Sequence, residues 1–161
     1  MRPDRDETFL MVADVLAVRT TCLRRGVGCV LTNKRGHVLS TGYNGVASGV
    51  RHCNFQPRPI AGGVTEAFPY ACAGAGADSG SRLDDCQAIH AEANALLQCP
   101  DVHQIETCYV TVAPCISCVK LLLGTSCQRI VFSEQYPHHE AARLWNRPWI
   151  HLPRRTSSSP A

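Results

Sequence analysis

One stretch constrains this chain more than any other. His90-Ala91-Glu92 is followed, 25 residues after the histidine, by Pro114-Cys115-Ile116-Ser117-Cys118. One imidazole and two thiolates make three protein ligands for zinc, one short of the four that close a structural site. The open fourth position is where a water sits with its pKa drawn toward neutrality. Glu92, two residues from His90, is badly angled for a fourth ligand. It is better placed to shuttle protons beside the metal.

The local pattern agrees. Asp85 to Gln98 is rich in Ala, Leu and Gln and ends before Pro100, which predicts a helix carrying His90 and Glu92. Thr107-Cys108-Tyr109-Val110-Thr111-Val112 predicts a strand. Pro114 then opens a second helix through Leu121-Leu122-Leu123, and Gly124 ends it. Cys115 and Cys118 would sit one turn apart at a helix N-terminus, where free N–H groups and the dipole favour thiolate. A zinc knuckle closed by a fourth ligand elsewhere is the bland alternative; it leaves Glu92 and Pro114 as coincidences.

With 161 residues the chain is expected to form one domain, residues 1–152, able to bury a core. A net charge of +3 fits a small anionic substrate and gives no nucleic-acid stripe. The ten cysteines come without a signal-like start or a membrane-length apolar run. A cytoplasmic setting is therefore expected, with the cysteines serving as metal ligands and small buried hydrophobes rather than disulfides.

Along the chain, Phe9, Leu10, Val12, Ala13, Leu16 and Ala17 recur at helical spacing, giving a first helix from Glu7 to about Arg19. Val27 to Leu31 and His37 to Gly42 flank a polar turn and read as a hairpin, followed by Tyr43-Asn44-Gly45. An Asn amide there could read a sugar hydroxyl or a base edge. Residues 48–84 shift toward Gly, Ala, Pro, Ser and Arg, a loop insertion that needs disorder or a tether. A second metal on Cys22, Cys53, Cys72 and Cys86, with His52 as a substitute, would tether it. Free thiols in a loop are the alternative. Arg129 to Phe132 predicts a further strand, after which Tyr136 either projects over the pocket or is an ordinary rim aromatic. His138 and His139 read as solvent-facing, and Trp149 to Leu152 as a short edge strand. Residues 153–161 are Ser/Pro-rich and expected to be disordered.

H-x-E followed by P-C-x-x-C is the established signature of the zinc nucleobase deaminases, matched here rather than derived. A closer resemblance rests on Arg19-Thr20-Thr21-Cys22-Leu23-Arg24-Arg25-Gly26-Val27-Gly28, Ser40-Thr41-Gly42-Tyr43-Asn44-Gly45, His52-Cys53 and His90-Ala91-Glu92-Ala93-Asn94-Ala95. In that order, over about residues 7 to 140, these motifs resemble the deoxycytidylate (dCMP) deaminases. The resemblance implies an α/β class, three-layer α/β/α cytidine deaminase-like fold around a five-stranded mixed sheet. It implies that His90, Cys115 and Cys118 hold the catalytic zinc and that Glu92 is the proton shuttle. It also implies that Asn44 contacts the deoxyribose or base and that the Thr20 region helps hold the 5′-phosphate; Ala91 and Tyr136 are further candidate substrate contacts. A second, structural zinc is implied at positions matching Cys22 and Cys53. Hexamers or dimers, activation by dCTP with Mg and inhibition by dTTP are expected on the same ground. The chain departs from the family at Ala47, where a proline is usual in the loop associated with effectors. It departs again in the uncharged run Cys72-Ala73-Gly74-Ala75.

The expected reaction is hydrolysis of dCMP to dUMP and ammonia, supplying dUMP for dTMP synthesis, with no nucleic acid or membrane as partner. Guanine, cytosine, tRNA-adenosine and riboflavin-pathway deaminases share the zinc motifs, and a modified cytosine nucleotide is an open alternative substrate. From another class, the rival is a zinc-stabilised binding module without catalysis.

Overall fold

The computed structural model describes residues 1–53, 72–78, 81–136 and 139–154. Five strands form one sheet: β1 (Gly28–Thr32), β2 (Val38–Tyr43), β3 (Thr107–Val112), β4 (Arg129–Glu134) and β5 (Trp149–His151). Their spatial order is β2-β1-β3-β4-β5. β1 is antiparallel to both β2 and β3, whereas β3, β4 and β5 run parallel. Every residue of β1 and β3 is buried, the expected state of central strands covered on both faces.

Alternation along the strands sends side chains to two separate cores. Val30, Tyr109 and Val131 face Leu10 and Ala13 of α1 (Arg5–Ala17). Cys29, Leu31, Cys108, Val110, Ile130 and Phe132 face the opposite layer, built by α2 (Ala91–Gln98), α3 (Ile116–Leu123) and α4 (Glu140–Trp145). Among the described residues that second face gathers fifteen buried apolar residues against five on the α1 side. Each fully buried Leu, Ile, Val or Phe contributes about 1.5–3 kcal/mol, so the α2–α4 face carries most of the core.

Two glycines let the layers close. A Cβ on Gly28 would lie 1.9 Å from the Ala13 carbonyl oxygen, and one on Gly42 would lie 2.3 Å from the Ala91 oxygen and 2.5 Å from Ala95 N. These contacts press α1 onto β1 and α2 onto β2, the second fixing where α2 begins.

The helix expected from Asp85 starts later. Residues Leu83–Asp85 form a single 3-10 turn, and Ile89 makes an isolated bridge to Gly45 through paired backbone bonds of 2.8 and 3.1 Å. That bridge competes with helix for residues 86–89, so His90 becomes the N-cap of α2 rather than a helical residue. Cys115 is likewise the N-cap of α3, with Pro114 just ahead of it and Gly124 as C-cap. α4 was not anticipated. It is six residues long, anchored by the buried Ala141 and Trp145. The first helix runs two residues earlier at each end than expected, opened by a capping box between Asp4 and Glu7.

In the insertion, the described residues hold turns and that 3-10 turn, while 54–71 and 79–80 lie outside the described residues. So do His138 and 155–161 of the expected tail. Arg154, expected in a disordered tail, is instead held by Asp14 and Glu134. No described helix is long and apolar enough to cross a membrane.

Candidate active site

The strand directions bring one edge of the sheet together. Gly28 at the start of β1 pairs with Tyr43 at the end of β2, and Val112 at the end of β3 pairs with Glu134 at the end of β4. The N-termini of α2 and α3 open at this same edge, the carboxyl side of the parallel strands, where α/β sheets commonly place ligands. A solvent-open cleft of about 100 Å³ lies there.

At its floor His90 Nδ1 stands 3.4 Å from Cys115 Sγ and 3.4 Å from Cys118 Sγ. Zinc–sulfur and zinc–nitrogen bonds of about 2.3 and 2.0 Å in a tetrahedron separate such donors by about 3.5 Å. The three donor atoms lie within 4.8 Å of one another, and among the described residues no other such His/Cys/Asp/Glu group does. The donor set thus fits zinc without rearrangement.

The electrostatics suit a cation-binding donor set. Hydrogen bonds from Cys118, then from His90 and the Cys118 N–H, hold the Cys115 thiol down to about 4 against burial. The same Cys115–Cys118 hydrogen bond and burial push Cys118 far up. The two sulfurs are thus pushed in opposite directions by one contact, and metal binding favours both as thiolates. The hydrogen bond to Cys115 raises His90.

Glu92, on the first turn of α2, is 4 % exposed and lines the cleft. Burial raises its carboxyl above the usual range, opposed by its own backbone N–H and by His90. A buried carboxyl beside a metal-donor set, open to a cleft, is equipped to hold and release a proton.

Of the other expected contacts, Asn44, Ala91 and Tyr136 line the cleft. Asn44 has little capacity left for a ligand. Its Oδ1 accepts from Thr20 Oγ1 at 2.7 Å and Val27 N at 2.8 Å, and its Nδ2 donates to the Arg25 carbonyl at 2.6 Å. One amide hydrogen remains. Asn44 therefore clamps the loop before β1. Thr20 does not line the cleft; its hydroxyl serves Asn44. From the same segment, Cys22, Arg24 and Arg25 do. Sequence reasoning had singled out neither arginine for its side chain, although both stand inside the quoted Thr20–Gly28 motif. Arg24 Nη2 donates to the carbonyls of Asp78 and Ser81 at 2.7 and 2.8 Å, and its buried Nη1 has no hydrogen-bond partner among the described residues. Arg25 pairs with Glu134.

The remaining cysteines of interest are neighbours, although no three of their sulfurs lie within 4.8 Å of one another. Cys72 Sγ donates to the Asp85 carbonyl at 3.8 Å, with Cys53, Cys86 and the N–H groups of Gln87 and Gly74 beside it. Burial raises its thiol, and those neighbours more than offset the rise. Burial and the Cys72 contact push Cys53 up to about 12, with Cys22 and Cys86 close enough to add to the shift. His52 is exposed. Cys22 and Cys86 themselves line the cleft, so this cluster forms part of its wall.

Comparison with known proteins matches this geometry. Residues 3–134 match the model of the cytidine and deoxycytidylate deaminase zinc-binding region. The chain is 39% identical over 135 residues to the deoxycytidylate deaminase of Mycobacterium phage D29, covering 83% of this chain and 98% of that protein. It is 33% identical to the deoxycytidylate deaminase of Saccharomyces cerevisiae over 84% of its own length, a match that spans 39% of the yeast protein. The fold is shared with the dCMP deaminase of cyanophage S-TIM5, solved in complex with dCMP and dUMP. That superposition has a TM-score of 0.67 at 19% identity, covering 94% of this chain and 99% of that one. With three metal donors preassembled at the sheet edge and a buried carboxyl beside them, the chain belongs to the cytidine and deoxycytidylate deaminase zinc-binding family.

Proposed function

We propose that residues 1–152 form a single deaminase domain that hydrolyses dCMP to dUMP and ammonia, supplying dUMP for dTMP synthesis. The observation that carries this is the meeting, in one cleft, of Glu92, the His90/Cys115/Cys118 donor set and two arginine side chains. His90, Cys115 and Cys118 would hold zinc, whose contribution is Lewis-acid activation of water near neutral pH. Glu92 takes the proton from the water that attacks C4 and delivers one to N3 of the ring. It then takes the proton of the new C4 hydroxyl and passes it to the exocyclic amine, so the C4=O bond forms as the C4–N bond breaks and ammonia leaves.

Around that centre, Ala91 and the small apolar lining hold the pyrimidine, and Tyr136 covers its rim. Arg24 and Arg25 receive the 5′-phosphate, for which the unpartnered Arg24 Nη1 is a ready donor. Asn44, with Thr20 behind it, keeps the arginine-bearing loop in place and offers its last amide hydrogen to the sugar.

Cys22, Cys53, Cys72 and Cys86 form a second, structural zinc site in the same proposal. Backbone N–H groups two residues on, Gly74 to Cys72 and Ala88 to Cys86, favour the thiolate: the Cys72 thiol is lowered, while burial still holds Cys86 above its ordinary value. Response to dCTP with Mg and to dTTP, and assembly into a hexamer or dimer, also belong to the proposal. Adding each nucleotide to the assay and measuring mass by light scattering test them.

The central test is incubation with dCMP, dCTP, deoxycytidine and cytosine separately, following the loss of cytosine absorbance. Turnover of dCMP well ahead of the others is expected. Preference for deoxycytidine or cytosine would overturn the phosphate contact, and no turnover by zinc-loaded protein would overturn the activity.

A further inference from the structure

Four charged side chains form an alternating chain that ends at the cleft. Asp14, on α1, accepts from Arg154 Nη2 at 2.6 Å and Nε at 3.0 Å. Arg154 Nη1 donates to Oε1 of Glu134, and Arg25 Nη2 donates to Oε2 of the same carboxylate. One carboxylate is thus divided between two guanidinium groups, one oxygen each. Glu134 is the last residue of β4, paired in register with Val112, and its carbonyl accepts from Ala113 N at 2.8 Å. Arg25 lines the cleft and Glu134 does not.

These side chains are about a third to a half exposed, at 34% and 36% for the Arg25–Glu134 pair and 48% and 32% for Arg154–Asp14. Ion pairs so exposed to water add little to stability. Their placement is informative instead. Arg25 is a long side chain on a loop, and left free it would have to be ordered each time an anion bound. A carboxylate fixed to the sheet edge, itself held by Arg154 and Asp14, orders it beforehand and lowers the cost of binding. Two acids and two bases leave the chain neutral, so the positive end at the cleft is not cancelled by a net excess of acid. Burial alone would raise the Glu134 carboxyl, but the hydrogen bonds from Arg25 and Arg154 bring it below its ordinary range.

We infer that Glu134 is a positioning residue for substrate binding: it holds Arg25 in the orientation that receives the anionic group of the substrate, with Arg154 and Asp14 as its brace. This rests on the proposed contact between Arg25 and the substrate phosphate.

The test is dCMP saturation kinetics on the zinc-loaded full chain, comparing wild type with Arg25→Met, Glu134→Gln and the double variant. Glu134→Gln is expected to raise KM about 5–20-fold while kcat stays within about twofold, the mark of lost binding rather than lost chemistry. In the Arg25→Met background the Glu134→Gln change is expected to add nothing, because its effect passes through Arg25. Independent, multiplying effects would overturn the inference, as would an unchanged KM in Glu134→Gln when Arg25→Met raises it. An unchanged KM in Arg25→Met would instead overturn the substrate contact itself, and the inference with it. Should Glu134→Gln lower the thermal midpoint, Arg154→Met, which leaves the cleft untouched, must still raise KM by a smaller factor. A flat KM there would also count against the brace.

Discussion

His90, Cys115 and Cys118 reach one another from the N-termini of two helices packed on the sheet, whereas Cys22, Cys53, Cys72 and Cys86 come from four positions outside helices and strands. Both groups border one cleft. The first has three donors and an acid neighbour, which leaves a coordination position for chemistry. The second, as proposed, has four thiols, enough to close a tetrahedral shell. The first is held by the core itself, through buried Ala91, Cys118, Val119 and Leu122. The loops that carry the second are joined by scattered bonds instead of a packed core, among them Gly74 N to the Asp85 carbonyl at 3.1 Å and Arg24 Nη2 to the carbonyls of Asp78 and Ser81. The first cluster borrows its geometry from the fold, and the second, on the proposed reading, would lend geometry to loops.

The largest separation between the two is expected from removing one ligand of each. His90→Ala should lose one zinc per chain and all measurable turnover, with the fold retained because the donors sit on packed elements. Metal analysis and dCMP assay check this. Cys53→Ser should also lose one zinc, but its main effect should be on stability. A loss of about 3 kcal/mol would lower Tm by about 6–12 °C in a chain of this size, with kcat of the folded protein within a few-fold of wild type. Equal effects of the two substitutions on turnover would break the comparison.

A smaller effect tests how the fold holds the first cluster. Gly42→Ala drives a Cβ into the Ala91 carbonyl oxygen and Ala95 N, so α2 must shift away from β2. A loss of about 1–3 kcal/mol is expected in denaturant unfolding, with kcat falling because Glu92 moves with the helix.

The smallest effect concerns the surface chain at the cleft mouth. The Glu134 carboxyl is lowered in the folded state, so its contribution to stability is present above the ordinary carboxylate range. That contribution is lost as pH falls through the lowered folded value. The Tm difference between wild type and Glu134→Gln should accordingly shrink toward zero from about pH 7 to about pH 3. A difference that grows on acidification would contradict the ion-pair account.

The His90/Cys115/Cys118 cluster was legible because its members lie close in sequence, in a helix–strand–helix unit whose caps and periodicity are local signals. The strands of the sheet were legible for the same reason. What was not legible depends on distant partners. The late start of α2 is set by the Ile89–Gly45 bridge, a contact across 44 residues. Arg24 is aimed by carbonyls of Asp78 and Ser81, and Arg25 by Glu134, 109 positions away. Arg154 lies in a stretch whose composition reads as disordered, and only its acidic partners on α1 and β4 order it. α4 was too short to show a helical period, and its burial comes from Trp145 meeting the core.

The most direct test of the central claim is Glu92→Gln, which keeps the shape of the side chain and removes its ability to carry a proton. Bound zinc and dCMP turnover are measured on the same sample. The account predicts an undiminished zinc content, with turnover lowered by about 10³-fold or more. Turnover within tenfold of wild type, with zinc still bound, would contradict it.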